Sequence, residues 1–224
     1  KEYEKTKDPQ TEKLISKYHN LQLAKKIQLN SAYGALGNPY FRWFNFEQAE
    51  SITMSGQLTI QWIERKINQL FNRIMNESDK DYVIAIDTDS VYINFEPLVN
   101  HLGIDDELKI VKVIDEFCEK KVQPYLNKSC MELYDVMNAY EQKMHFKRET
   151  IANKGIWKAK KMYILNAWNI EGVQYDKPKL KMQGIEAIRS STPQACRNAI
   201  KECLDIIMNR DEQSLKNYVR TFKE

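Results

Sequence analysis

The stretch DYVIAIDTDSVYINF, residues 81–95, decides the fold class. Residues 82–86 and 91–95 are runs rich in Val, Ile, Tyr and Phe, and the polar step between them is only long enough for a turn. The pattern predicts an antiparallel hairpin turning at Asp87 to Ser90. The flanks are helical. Upstream, residues 11–36 place Leu14, Tyr18, Leu21, Ala24 and Ile27 near helical intervals, and Asn38-Pro39 ends that helix. An aromatic cluster follows (Tyr40, Phe41, Trp43, Phe44, Phe46). A second helix is predicted over residues 47–75, repeating at Ile60, Ile63, Ile67, Leu70 and Ile74. Gly56 inside it weakens the helix and hints at a close contact. Downstream, Leu108, Val111, Ile114, Phe117 and Cys118 mark a third helix, and residues 133–144 read as another. Residues 162–169 read as a strand, Glu171-Gly172 as a turn and residues 179–187 as a further strand. Thr192-Pro193 reads as the cap and first residue of a last helix. Strands grouped between helices, not alternating with them, give an α+β fold with an antiparallel sheet.

The 224 residues are 42% hydrophobic and 11% aromatic, enough for a packed core, which excludes wholesale disorder. Seven Gly and six Pro exclude collagen-like and low-complexity chains. No apolar run approaches the roughly 20 residues of a membrane-spanning helix. The opening KEYEKTKDPQ is neither a signal peptide nor a start at Met, so the chain is expected to be a piece of something longer. Cys118, Cys130, Cys196 and Cys203 form no C-x-x-C pair, which argues against a zinc site. Free thiols packed in a core and a reducing compartment are expected, with Cys196 and Cys203 on one helix face. The net charge of +3 hides an asymmetry. Residues 76–119 hold 12 acids against 3 bases, and residues 143–189 hold 11 bases against 4 acids. The first block suits cations and the second phosphates.

Three segments carry chemistry. Residues two apart on a strand share a face, so Asp87 and Asp89 are expected to converge at the hairpin tip. Like charges that close favour a cation between them, and carboxylate oxygens suit Mg²⁺, although Asp also favours turns for its own sake. In the first helix Lys26, Asn30 and Tyr33 share one face, suited to a triphosphate, a sugar edge and a base, and Gly34 permits close approach; a solvated polar face has the same pattern. KMHFKRETIANKGIWKAKKMYIL, residues 143–165, reads as a basic strand in which Lys158 and Lys160 alternate with Lys161 and Tyr163. Such a ribbon tracks a phosphate backbone without reading sequence. Glu149 stands out there as an acid among bases.

In this order the three segments resemble family B DNA polymerases. The spacing K-x-x-x-N-S-x-Y-G is met by Lys26, Asn30, Ser31, Tyr33 and Gly34. D-T-D-S is met by Asp87, Thr88, Asp89 and Ser90, and K-K-x-Y by Lys160, Lys161 and Tyr163. NSAYGALGN, QWIERKIN, DTDSVYI, KRETIA, IWKAKKMY and SSTP have near equivalents, in order, in the replicative polymerases of T-even-type bacteriophages. The resemblance runs from about Leu21 to the end.

That resemblance implies a polymerase palm with an antiparallel sheet flanked by helices, plus part of the fingers helix and the start of the thumb. Its expected bounds are a returning fingers helix over residues 1–37, palm over 38–189 and the start of the thumb over 190–224. The implied activity is template-directed transfer of deoxynucleotides to a primer 3′-end with two Mg²⁺ ions. Asp87 and Asp89 take the place of the metal-binding carboxylates. Lys26 and Asn30 fall at the incoming triphosphate, and Tyr33 and Gly34 under the nascent base pair. Lys160, Lys161 and Tyr163, with Lys158 nearby, fall on the duplex near the primer end. Glu149 and Ser90 are accessory positions. Implied partners are primer-template DNA, deoxynucleoside triphosphates, an amino-terminal polymerase portion and a sliding clamp. No membrane is involved, and the implied setting is the cytoplasm of a bacterial host. Met162 departs from the family's usual Arg, Lys147 from an Asp of the phage enzymes, and Ile86 from a Gly often found before the turn. The family's earlier metal-binding motif, D-x-x-S-L-Y-P-S, does not occur here. The alternative is a non-catalytic DNA-binding or scaffold subunit with a palm fold.

Overall fold

The computed structural model describes residues 8–223 and falls into two units, the first ending at Leu58 and the second beginning at Thr59. In the first unit, helix α1 (Pro9–Leu36) starts at Asp8, whose carboxylate accepts from the backbone N–H groups of Gln10 and Thr11 and from the Thr11 hydroxyl. These bonds, the hydroxyl first, hold the Asp8 carboxyl below its ordinary range. Pro9 fits the first helical position, where its missing N–H is not needed. The predicted stripe is helical, yet none of the residues of α1 is buried. Helix α2 (Phe46–Met75) is capped by the Asn45 side chain, which accepts from the Gln48 N–H at 2.9 Å. Among the described residues, nothing lies within 4 Å of where a Cβ at Gly56 would sit, so the close contact expected there is not made by them.

In the second unit the rest of α2 lays Ile60, Ile63, Ile67, Leu70 and Phe71 inward on the predicted spacing. The last four pack with Tyr82, Val83, Val111, Ile114, Cys118, Val122, Leu126, Cys130 and Ile151 in the main core. Asn68 and Asn72, one turn apart on α2, lace down the segment that leads into the first strand. Asn68 Oδ1 accepts from the Tyr82 N–H at 2.8 Å, and Asn72 exchanges bonds with both backbone groups of Lys80 at 2.8 and 3.0 Å. Tyr82 is 1% exposed and donates its hydroxyl to Glu77. Burial and that carboxylate push its pKa up to about 12.

The strands form two antiparallel sheets where the sequence suggested one. β1 (Val83–Asp87) pairs with β2 (Ser90–Ile93), and β3 (Thr150–Ala159), β4 (Met162–Ile170) and β5 (Val173–Gln183) form a meander. β4 is central and buried from Tyr163 to Ala167, which matches its nearly unbroken apolar run. Glu171 and Gly172, both with positive φ, make the predicted turn into β5. β5 ends at Gln183, not at residue 187: Gly184 takes φ +67° and leads into a 3₁₀ turn, Glu186–Ile188.

Between the sheets lie α3 (Glu96–Leu102), α4 (Glu107–Phe117) and α5 (Gln123–Val136), the last two joined by a π-helical turn at Cys118–Val122. Residues 107–136 are thus one helical run, and residues 137–144 are not helical, because Asn138 leaves the helix with φ +48°. The wide turn has a cause in the spacing. Ile114, Cys118, Val122, Leu126 and Cys130 are all buried at steps of four. On a regular helix each such step drifts about 40° around the axis, and the π turn drifts the other way.

Helix α6 (Gln194–Asn209) follows Pro193, which takes the cap position itself, so Thr192 does not cap as expected; α7 (Glu212–Lys223) closes the described chain. Ile200, Leu204 and Met208 of α6 pack on Ile164, Leu180 and Met182 of the meander. Cys118 and Cys130 are core thiols, and burial pushes Cys118 up to about 12. Cys196 is exposed, so the seven-residue spacing does not carry both of its pair inward. Among the described residues, no helix is long and apolar enough to cross a membrane.

Candidate functional site

The β1–β2 hairpin pairs Asp87 with Ser90, leaving Thr88 and Asp89 as a two-residue turn. Thr88 takes φ +54°, the left-handed conformation such tight hairpins require. The Asp89 N–H and the Ser90 hydroxyl both donate to the Asp87 carbonyl, at 2.6 and 3.0 Å. The two acids therefore share a tip because the turn is tight. They do not share a strand face, since Asp89 lies outside the strand. The Ser90 hydroxyl is spent on the turn.

The Asp87 carboxylate is half-buried. It accepts from the Thr88 hydroxyl at 3.1 Å and pairs with the Lys161 ammonium at 3.5 Å. That ammonium also donates to Thr88 Oγ1 at 3.1 Å. Asp89 is exposed, and among the described residues no donor reaches its carboxylate. Carboxylate and hydroxyl oxygens of this kind are the donors Mg²⁺ takes, and a cation at Asp87 would replace the ammonium as its counter-charge. Among the described residues no group of three or more His, Cys, Asp and Glu side chains is placed to hold a metal ion.

Lys161 reaches the tip because residues 143–165 are not a single strand. The chain turns at Lys160 and Lys161, with Lys161 at φ +61°, between β3 and β4. Lys158, Lys160 and Lys161 are exposed around this turn, whereas Tyr163 is buried and donates its hydroxyl to Gln183 at 2.7 Å. Burial first, then the neighbouring Tyr92 hydroxyl and the charges of Glu149 and Asp87, raise the Tyr163 pKa. Gly184 lies under the turn, where a Cβ would come within 2.3 Å of the Lys161 carbonyl oxygen. Glu149 pairs with Lys181 at 2.5 Å and is more than half exposed. In the first unit, Lys26, Asn30, Tyr33 and Gly34 are exposed along α1, and a Cβ at Gly34 would meet nothing within 4 Å.

Sequence reasoning missed Tyr92, Lys181, Gln183 and Gly184. Tyr92 sits in an apolar strand run and reads as core. The Gly184 signal was available, since a lone Gly at a strand end marks a turn or a close approach.

A family model described as DNA polymerase family B matches residues 1–224. The chain is 38% identical over 224 residues to the DNA-directed DNA polymerase of Enterobacteria phage T4, covering 95% of this chain and 25% of that protein. It is 37% identical over 202 residues to the DNA-directed DNA polymerase of Escherichia phage RB69, covering 85% and 22%. The DNA polymerase delta catalytic subunit of Drosophila melanogaster is 24% identical over 204 residues, covering 89% and 16%. The chain thus spans about a quarter of the length of the phage relatives it matches.

Proposed function

The chain belongs to DNA polymerase family B, and on that premise we propose that it carries part of the palm of an enzyme adding deoxynucleotides to a primer 3′-end under template direction. The observation that carries this reading is the meeting of an acidic hairpin tip with a basic hairpin turn: Asp87 and Thr88 on one side, Lys161 on the other. Reaction at a strand end needs both signs of charge side by side, carboxylates for cations and ammonium groups for phosphates.

In this proposal Asp87 and Asp89 hold part of a two-Mg²⁺ site. When bound, such ions make the primer 3′-hydroxyl a better nucleophile and neutralise the departing pyrophosphate. The chain's own residues bind and orient. Lys158, Lys160 and Lys161 hold the duplex near the primer end by its backbone, and buried Tyr163 supports their turn. Lys26 and Asn30 meet the incoming triphosphate, with Tyr33 and Gly34 beneath the new base pair. Ser90 acts through the turn it closes. Glu149, paired with Lys181, is an accessory position. Residues 1–37 then belong to the fingers, 38–189 to the palm and 190–224 to the thumb. A further carboxylate comes from outside this segment. Primer-template DNA, deoxynucleoside triphosphates, an amino-terminal polymerase portion and a sliding clamp are the proposed partners, in the cytoplasm of a bacterial host.

The test is Asp87→Ala and Asp89→Ala in the polymerase that carries this chain. Primer extension is expected to fall by at least about 10³-fold while duplex binding stays within about threefold. Extension at the unmodified rate in Asp89→Ala would refute the reading.

A further inference from the structure

Tyr92 has no role in the function argued above, yet the two sheets of the second unit meet on it. Its ring stands edge-on to Trp157 and to Tyr163, with both centroids 5.4 Å away. Tyr163 in turn donates its hydroxyl to Gln183 at 2.7 Å. Trp157 is seated over Gly155, where a Cβ would come within 2.8 Å of the indole ring. Two residues before Tyr163 comes Lys161, which reaches Thr88 and Asp87. The hairpins therefore touch twice, through a polar latch and an aromatic joint. The latch is a half-exposed ion pair and weak. The joint is made of ring edges packed between the two hairpins.

We propose that Tyr92 is a positioning residue: by packing edge-on against the cross-strand pair Trp157 and Tyr163, it holds the Lys160–Lys161 turn at a fixed distance from Asp87, so that a strand end gripped by the turn meets the acidic tip. The proposal rests on the polymerase reading of that tip.

The experiment is a double-mutant cycle in the polymerase that carries this chain. Tyr92→Leu removes both edge contacts and is expected to raise the KM for primer-template about tenfold, with less than about threefold change in kcat on saturating matched primers. Tyr92→Phe keeps both rings and is expected to stay within about threefold of the unmodified enzyme. If Tyr92 acts through Tyr163, adding Tyr163→Leu to Tyr92→Leu makes KM no worse than the more severe single change. Effects on KM that multiply would overturn the proposal, as would Tyr92→Phe failing as badly as Tyr92→Leu. Where Tyr92→Leu does not fold, Tyr92→His runs the same cycle, since it keeps a planar ring too short to span both partners. Asp89→Ala separates the two levels. Extension surviving there overturns the polymerase reading. Extension lost there, with multiplying effects at Tyr92 and Tyr163, overturns the positioning role alone.

Discussion

Replacing Gly184 by Ala tests the closest approach in the site with one methyl group. Two penalties add. The residue holds φ +67°, which costs an L-amino acid about 1–2 kcal/mol. The new Cβ would lie 2.3 Å from the Lys161 carbonyl oxygen, against the 3.0 Å that real Cβ atoms respect, so two backbone segments must part by at least 0.7 Å. Backbone shifts forced by overpacking cost about 1–3 kcal/mol. The expected loss is therefore about 2–5 kcal/mol of stability. Gly172→Ala is the control. It has φ +81° with nothing within 4 Å of a Cβ, so only the conformational penalty applies, about 1–2 kcal/mol. Urea unfolding followed by tryptophan fluorescence measures both. Because the displaced oxygen belongs to Lys161, Gly184→Ala alone should also weaken primer-template binding. Equal destabilisation by the two variants, to within about 0.5 kcal/mol, with unchanged duplex affinity in both, would refute the reasoning.

Gly56→Ala should stabilise the protein by about 0.5–1 kcal/mol, since it removes a flexible helix residue where a methyl group has open space; a higher urea midpoint is the readout. Tyr82 contributes stability that is intact below about pH 10 and lost as pH rises toward 12, because folding favours its neutral form. Tyr82→Phe should flatten that alkaline decline, measured as the urea midpoint against pH. Lys161→Met should change stability by less than about 0.5 kcal/mol, its ion pair being half-exposed. It should nevertheless weaken duplex binding and reduce the slope of log affinity on log salt by about one, as a lost phosphate contact does.

Much of the architecture was written in spacing. The hairpin at residues 81–95 was legible because runs of Val, Ile and Tyr flank a polar step of turn length. The inward face of α2 was legible because Ile60, Ile63 and Ile67 recur at helical intervals. Asp87 and Asp89 were legible as a pair, but the alternation argument for them was wrong. Strand periodicity says nothing about residues in a turn, and the left-handed Thr88 sets their positions. The break at Lys160–Lys161 was hidden because neither residue is Gly, Pro, Asn or Asp, the usual marks of a turn; a lysine holding φ +61° leaves no local trace. Tyr92 and Lys181 were illegible for another reason. Tyr92 matters for what it touches on the other sheet and Lys181 for a partner two strands away in its own, and contacts between residues so far apart in the chain are not encoded in any short window.

The π-helical turn at Cys118–Val122 has a consequence for chain length. It acts as a phase correction, carrying one residue more than a regular turn would. Deleting exposed Lys121 would let the turn wind into ordinary α-helix, with the buried positions then spaced four, three, four and four apart, a pattern that a regular helix keeps on one face. Leu126, Cys130 and Leu133 would stay on the inward face. Cys118 and Val122 hold the core while the exposed residues between them carry the surplus, so this one turn tolerates a change of count that the regular helix on either side does not.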